Sequence, residues 1–284
     1  MAMSSVMSID DDDVVLEKRV TPFLERRAVR RLLPWLVVAG LFAGWEAGVW
    51  LFAVPEFVLP APSAIAAAGW EWRMPILENA WQTLLTTLIG FGLAILVGVL
   101  GGVALGSSTL VYEAVYPALI GFNSIPKVAV VPILVIWFGT GTVPAVITAF
   151  MLSFFPILVN VATGIATLEP ELKDVLRALG ASRRQVITKV GLPRAMPYFF
   201  ASLKIAMTVA FVGSIVSETI ASNKGIGYLM LVASGRFEVP LAFAALLVTG
   251  AMGVLMYAIG SLFETRMTGW ATRGQNGGAF TPGG

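Results

Sequence analysis

The ionisable side chains of the long apolar segments are the residues of this sequence that could carry chemistry. The chain has no His and no Cys, which excludes disulfides, thiol catalysis and the usual zinc or haem sites. Lys127 and the nearby Ser124 would be the only basis for a Ser–Lys dyad, and no Asp occurs between Asp13 and Asp174. We therefore expect neither a catalytic site nor a metal site.

Single charged residues inside apolar segments are candidates for binding. An unpaired charge at the centre of a spanning helix costs about 2.5–3.5 kcal/mol, so each one needs a reason. Lys127 either lines a pathway, where it would favour anions, or forms a structural pair with Glu46 or Glu218. Lys204 is expected to snorkel to the interface. Glu218 is either a gate, a contact for another protein or an ordinary interfacial carboxylate.

Aromatic and amide residues near these charges complete a candidate pathway. Phe154, Phe155 and Pro156 interrupt the apolar regularity of their segment, and they either line a pathway or pack as buried aromatics. The full set of candidate pathway residues is Asn123, Ser124, Lys127, Phe154, Phe155, Asn160 and Glu218.

The elements that must position these residues are predicted to be membrane-spanning helices. The chain of 284 residues is 57% hydrophobic and 13% charged, whereas soluble domains carry about 25% charged residues. Because about 20 apolar residues cross a bilayer, six segments qualify. The third contains Pro117, Pro126 and Pro132 and is expected to be kinked or broken. The predicted fold is an all-α integral membrane protein with spans at 32–54, 81–106, 116–138, 143–168, 197–216 and 240–262.

The distribution of Lys and Arg predicts the orientation. Six basic residues precede the first span, six lie in the loop 169–196 and two lie in the C-terminal tail, against three in the loops on the opposite side. Cytoplasmic loops carry the excess of basic residues. Both termini and the loop 169–196 are therefore expected to be cytoplasmic.

Three regions follow from this organisation. Residues 1–31 form an N-terminal segment. The stretch 14–33 contains both arginines and apolar residues, which indicates either an amphipathic helix on the membrane surface or a solvated linker. Residues 32–264 form the membrane domain, and residues 265–284 form a C-terminal tail. Gly98 and Gly102 have a spacing that allows close helix packing, and we favour packing within the chain over a dimer interface.

The loop 169–196 has the pattern of two short helices around a glycine. Leu172, Val175, Leu176 and Leu179 form one apolar stripe, and Gly180 is placed as a left-handed C-cap. Ser182 and Gln185 match a capping box that begins a second helix, and Leu192-Pro193 is expected to end it. Such a stripe packs either on the chain's own spans or on another protein.

The stretch DVLRALGASRRQVITKVGLP resembles the EAA loop of ABC importer permeases, which docks on the ATP-binding subunit. Asp174-Val175-Leu176, Gly180, Val190 and Leu192-Pro193 keep the full spacing of that motif, with Asp for Glu, Val and Leu for the two Ala, and Val for Ile. The resemblance extends over about 81–264. Stretches at 123–141, 153–164 and 217–230 resemble the nitrate, sulfonate, taurine and bicarbonate subfamily. That subfamily also contains permeases for pyrimidines and riboflavin.

The resemblance implies a type I ABC importer permease of the MetI-like fold, which is a transport subunit and not an enzyme. The implied partners are an ATP-binding subunit dimer, a second permease copy, a periplasmic or lipid-anchored substrate-binding protein and membrane lipid, with no nucleic acid. ATP-Mg would bind the partner, since this chain has no phosphate-binding loop. The implied docking residues are Leu172, Asp174, Val175, Leu176, Arg177, Leu179, Gly180, Leu192 and Pro193.

The predicted function is import of a small solute of the nitrate, sulfonate, taurine or bicarbonate type across the bacterial inner membrane. Pro126-Lys127 and the Phe-Phe-Pro run at 154–156 are closer to the branch for heterocycles such as a pyrimidine or riboflavin, which is the alternative. A secondary transporter is the alternative from another class, but it would usually show paired repeats and functional intramembrane carboxylates.

Overall fold

The computed structural model of the chain describes residues 27–167 and 170–272, and within these ranges every regular element is helical. Most of the N-terminal segment (1–26) and residues 273–284 of the predicted tail lie outside the described residues. The helices are α1 (Arg27–Leu51), α2 (Pro62–Glu71), α3 (Arg73–Gly106), α4 (Thr109–Asn123), α5 (Val131–Phe138), α6 (Thr142–Ala166), α7 (Pro170–Ala178), α8 (Arg183–Val186), α9 (Leu192–Ala221), α10 (Ile226–Gly235) and α11 (Val239–Thr272).

Five of the six predicted spans are single helices in the structure, and the predicted break in the third is confirmed. α1, α3, α6, α11 and the helix that ends in α9 are long and apolar enough to cross a membrane. α4 and the helix Lys127–Phe138 meet the same criteria only together, as two pieces bent by 70°, and they count as the sixth span when taken as one. Pro126 lies at this break, where it has no N–H to donate and disfavours the helical conformation of the residue before it.

Residues 27–53 belong to a compact unit of their own, and its helix α1 is exposed along most of its length. Trp35 and Trp50 are 74% and 76% exposed. The indole nitrogen of Trp50 donates a hydrogen bond to Glu46 Oε1 at 3.1 Å, one turn earlier. This bond partly offsets the cost of placing a carboxylate in an apolar helix.

The bundle of residues 54–272 is built on close packing of α3 against α6. Gly90, Gly98, Gly102 and Gly106 recur along α3 and leave room for the backbone of α6. A Cβ atom on Gly98 would lie 2.9 Å from Ile157 Cγ2, and the other three positions are equally closed. The expectation that the Gly98–Gly102 spacing serves packing within the chain is confirmed.

α9 packs on α6 and also on α3, and it completes the core. Ala149 and Ile157 of α6 and Ala206 and Ala210 of α9 are fully buried, and they belong to one apolar cluster with residues of α3. The short helix α10 and the long helix α11 pack on α9, and α2 packs on α11. Small residues thus let three spanning helices approach closely where lipid gives no hydrophobic drive for association.

Candidate docking segment and transport pathway

Residues 170–191, here called the docking segment, adopt the local structure that the sequence predicts. Gly180 has φ +80°, the left-handed conformation that favours glycine after a helix. Ser182 N–H donates to Gln185 Oε1 at 2.8 Å, and Gln185 N–H donates to Ser182 Oγ at 3.3 Å. Both halves of the predicted capping box are therefore formed, and they set the direction of α8 relative to α7.

The apolar side of the docking segment is largely uncovered. Val175 is 56% exposed and Leu179 is 79% exposed. Between the two short helices lies a groove of about 270 Å³, whose lining is mostly apolar. Its lining residues are Leu176, Leu179, Gly180, Ala181, Gln185, Val186, Lys189 and Val190.

Leu192-Pro193 does not end the second helix, contrary to the prediction. α8 continues through a π-helical stretch, Ile187–Gly191, directly into α9, where Pro193 lies in the first turn. Proline clashes with the carbonyl four residues earlier in a regular helix. The wider π turn moves that carbonyl away, so the helix passes the proline without ending. The docking segment is therefore joined to a spanning helix without a flexible link.

Among the other predicted docking residues, Leu172 is half-buried and Asp174 is exposed. Leu192 is 37% exposed. The backbone of Arg177 lies in α7. The structure thus gathers Leu176, Leu179 and Gly180 at one groove, with Val175 exposed on the same helix and Leu192 at the start of α9.

The break between α4 and α5 is organised by Lys127. Its Nζ donates to the backbone oxygen of Asn123 at 2.8 Å and to Asn123 Oδ1 at 2.7 Å. A cation at the C-terminus of a helix interacts favourably with the helix dipole and with the terminal carbonyls. Lys127 is 8% exposed, whereas Asn123 and Ser124 are exposed. The Lys127 ammonium group therefore bonds to Asn123 within the break, and Glu218, one of the two carboxylates considered as its partner, is bonded to other helices.

The predicted residues of α6 do not join this break through their side-chain bonds. The Phe154 ring packs with Phe150 at a centroid distance of 5.5 Å and contacts the α3–α6 core. Phe155 is half-buried. Asn160 Nδ2 donates to the backbone oxygen of Pro156 at 2.8 Å. Phe154 thus has the packing role that the sequence left open as its alternative.

Glu218 is the centre of a separate polar group, here called the glutamate cluster, with Asn79, Thr83, Thr86 and Ser214. Glu218 is 1% exposed, so it is not an ordinary interfacial carboxylate. Thr83 Oγ1 donates to Glu218 Oε2 at 2.7 Å, and Thr86 Oγ1 donates to Oε1 at 3.2 Å. The threonines of α3 that hold it carry no sequence signal linking them to α9.

Lys204 has a partner that the sequence does not identify. Its Nζ lies 3.1 Å from Glu264 Oε2 of α11 and 5.1 Å from the Tyr257 ring centroid. The ammonium group thus connects α9 to α11. In the described ranges, no group of three or more acidic side chains is close enough to hold a metal ion.

Residues 90–269 match the family described as the inner membrane component of binding-protein-dependent transport systems. The chain belongs to this family. It is 33% identical over 232 residues to a riboflavin transport system permease of Chloroflexus aurantiacus, covering 81% of this chain and 87% of the relative. It is 29% identical to a formylaminopyrimidine transport permease of Halalkalibacterium halodurans, covering 86% and 98%.

A putative aliphatic sulfonates transport permease of Bacillus subtilis is 27% identical, with 83% of this chain and 86% of the relative covered. The fold is similar to a chain of the MetNI methionine ABC transporter in an inward-facing conformation, with a TM-score of 0.60 and 18% identity, over 70% of this chain and 98% of that chain. This chain is therefore a permease subunit of an ABC importer with the MetI-like fold, a multi-pass membrane protein with a transport fold and not a catalytic one.

Proposed function

We propose that this permease imports a small solute from the periplasm to the cytoplasm as one half of a homodimer, with energy from a dimer of ATP-binding subunits. A periplasmic or lipid-anchored binding protein delivers the solute. Both termini and the docking segment lie in the cytoplasm, in accord with the excess of basic residues on that side,. The chain resides in the inner membrane, as does the family to which it belongs.

The observation that carries the proposal is the exposed groove of the docking segment. Leu176 and Leu179 line it, and the segment continues into α9 without an interruption of the helix. A partner that binds the groove would therefore transmit its motion to a spanning helix. Rigid-body motion of this kind is a common route from a binding event to the opening of a distant cavity.

The break between α4 and α5 is the proposed pathway lining. Irregular backbone inside a membrane is tolerated only where it is covered by protein or faces a water-filled cavity. Asn123 and Ser124 are exposed at this break, so their surface faces the second permease copy or the solute rather than lipid. Lys127 fixes the position of Asn123 through two hydrogen bonds.

For the solute, we propose a heterocycle of the riboflavin or pyrimidine kind. The relatives that transport riboflavin and formylaminopyrimidine are more similar than the sulfonate relative, and the exposed polar side chains at the break, those of Asn123 and Ser124, are neutral. A nitrate- or sulfonate-type anion is the second candidate. It is favoured by the positive charge of Lys127, whose Nζ reaches Asn123 Oδ1 at the edge of the break.

A charge placed in the groove tests the docking proposal. We expect Leu176→Asp to accumulate in membranes but to bind the ATP-binding subunit about 30-fold more weakly, as for an interface residue worth at least about 2 kcal/mol. Thr188→Asp is the matched control, because Thr188 is exposed on the same segment and does not line the groove. The measurement is co-purification followed by solute-stimulated ATP hydrolysis in liposomes.

Equal binding by Leu176→Asp and the control would refute the docking proposal. The same liposomes decide between the solutes, because riboflavin, a pyrimidine, nitrate and taurine can each be added with their binding proteins. Stimulation by an anion alone would overturn the heterocycle assignment.

A further inference from the structure

The beginning of α10 is capped by side chains from two other helices. The first N–H groups of a helix have no partner within it, and a local Ser, Thr, Asp or Asn usually accepts from them. Here the cap position is Gly225, which has no side chain. Gly225 N–H donates to Asn79 Oδ1 at 2.8 Å, Ile226 N–H to Thr83 Oγ1 at 2.8 Å, and Gly227 N–H to Glu218 Oε2 at 3.2 Å.

Glu218 is the residue that joins the three helices. Its carboxylate accepts from Thr83 and Thr86 of α3 and from the backbone of α10, while Glu218 itself belongs to α9. Ser214, one turn earlier on α9, donates to Thr86 Oγ1 at 2.9 Å. A negative charge at the N-terminus of a helix is also favoured by the helix dipole.

Two glycines allow the carboxylate to approach the α10 backbone. Gly225 has φ +106°, and a Cβ atom there would overlap the Glu218 carboxylate. A Cβ atom on Gly227 would lie 3.0 Å from Glu218 Cβ. Glu218, Gly225 and Gly227 therefore act together. The two glycines leave the space in which the buried carboxylate contacts the start of α10.

α10 depends on this contact because it is short. With 10 residues it is below the length of about 12–15 residues at which isolated helices become marginally stable. It is also too short to cross a bilayer. Its conformation and position must come from packing on α9, α11 and α3 and from the cap on its N–H groups.

We propose that Glu218 is a positioning residue for transport, which holds α10 against α3 and α9 so that this end of the three helices moves as one body. It contacts no solute in this role, in contrast to the pathway role predicted from the sequence. Loss of the carboxylate leaves Gly227 N–H without its acceptor, and it leaves the Thr83 and Thr86 hydroxyls with only carbonyls of their own helix α3 as acceptors. α10 then separates from α3 while the α3–α6–α9 core stays folded.

Cysteine labelling tests this directly, since the natural chain has no Cys. Ala233→Cys places a thiol on α10 at a position that is 1% exposed, and Ala206→Cys places one in the α9 core at a position that is 0% exposed. Each is made in the full-length protein and labelled with a water-soluble maleimide in membrane fragments open on both faces. In the otherwise natural sequence both thiols should react slowly.

Adding Glu218→Ala should raise the labelling rate at position 233 about tenfold, as expected when a buried donor loses its acceptor. The rate at position 206 should not change. Glu218→Gln should restore protection, because its amide oxygen can accept from Gly227 and its amide nitrogen can donate to Thr86. Thr83→Val should act in the same direction as Glu218→Ala. Thr87→Val is the control, because among the described residues the Thr87 hydroxyl bonds to the Thr83 carbonyl of its own helix and not to Glu218.

Protection of position 233 in Glu218→Ala would overturn the proposal. Equal labelling of positions 233 and 206 would also overturn it, because Glu218 would then support the whole fold. The labelling needs no ATP-binding subunit, so its outcome is independent of the docking proposal. In the assembled transporter, Glu218→Ala should lower the maximal transport rate about tenfold while subunit binding at the docking segment is retained.

Discussion

Both the α3–α6 contact and the α4–α5 pair are built from apolar helices that contain helix-disfavouring residues, glycines in α3 and Pro126 between α4 and α5. The chain covers the glycine face of α3, but it leaves much of α5 exposed. Along α3, glycines bring the backbone so close to α6 that a Cβ atom on Gly102 would lie 2.8 Å from the Leu158 carbonyl oxygen. Along α5, Ile136 and Trp137 are 80% and 68% exposed. α6 covers the glycine face of α3, whereas the described part of the chain leaves this face of α5 uncovered.

The difference lies in what each interruption does to the backbone. α3 stays helical through its glycines, so the backbone groups in its interior remain bonded within the helix, and the absence of side chains lets a neighbouring helix approach closely. Pro126 breaks the α4–α5 pair, and the freed carbonyl of Asn123 must take a hydrogen bond from the Lys127 side chain. The α3–α6 contact therefore stabilises the fold of a single chain. The irregular backbone between α4 and α5 needs water, solute or a second copy of the chain to cover it.

Substitution of a glycine of α3 that faces α6 should have the largest effect on stability. We expect Gly102→Ala to lower the free energy of unfolding by about 1–3 kcal/mol, because the added methyl group overlaps Val161 and the Leu158 carbonyl,. Gly92→Ala, on the same helix but with open space at its Cβ position, should raise it by about 0.5–1 kcal/mol. Thermal unfolding in detergent, followed by circular dichroism, measures both. A shift of the same sign in both variants would contradict the packing argument.

The stability of the break between α4 and α5 should depend on the Lys127 ammonium group. Lys127→Met is expected to lower the free energy of unfolding by about 1–2 kcal/mol, because the Asn123 carbonyl at the end of α4 loses its donor,. Lys224→Met removes a lysine that is exposed in the α9–α10 turn and should change stability by less than about 0.5 kcal/mol. The same unfolding assay applies.

If Lys127→Met is as stable as the control but transports anions more slowly, the ammonium group acts on the solute and not on the bend. The two results separate the structural and pathway roles that the sequence leaves open for this residue.

The sequence predicts what is local and misses what is long-range. The spans follow from hydropathy and length, and the caps at Gly180 and Ser182 follow from residue types within one turn. Pro193 is misread as a helix end, because a π turn that accommodates it leaves no pattern in the residue types. The ion pair of Lys204 is not predicted, because its partner Glu264 is 60 positions away.

The glutamate cluster shows the same limit at a functional residue. Glu218 is recognisable as a charge in an apolar segment, but its partners Thr83 and Thr86 are separated from it by 135 and 132 positions. Their hydroxyls are common in spanning helices, where they bond to their own backbone. The only local signal is the pair of glycines at 225 and 227, whose need for space becomes clear once the carboxylate is seen beside them.

Two buried serines of α9 test how much a single hydrogen bond between helices contributes to stability. Ser214 and Ser217 are both 0% exposed. Ser214 Oγ donates to Thr86 Oγ1 at 2.9 Å, whereas Ser217 Oγ has no hydrogen-bond partner among the described residues. We expect Ser214→Ala to lower the free energy of unfolding by about 0.6 kcal/mol, the average for a hydrogen bond between helices in a membrane. Ser217→Ala should leave it unchanged or raise it by up to about 1 kcal/mol, because a buried unpaired hydroxyl is removed. The unfolding assay compares both variants with the natural chain. A larger loss for Ser217→Ala would mean that its hydroxyl has a partner in the assembled transporter, and the core of one chain would then be less complete than its packing indicates.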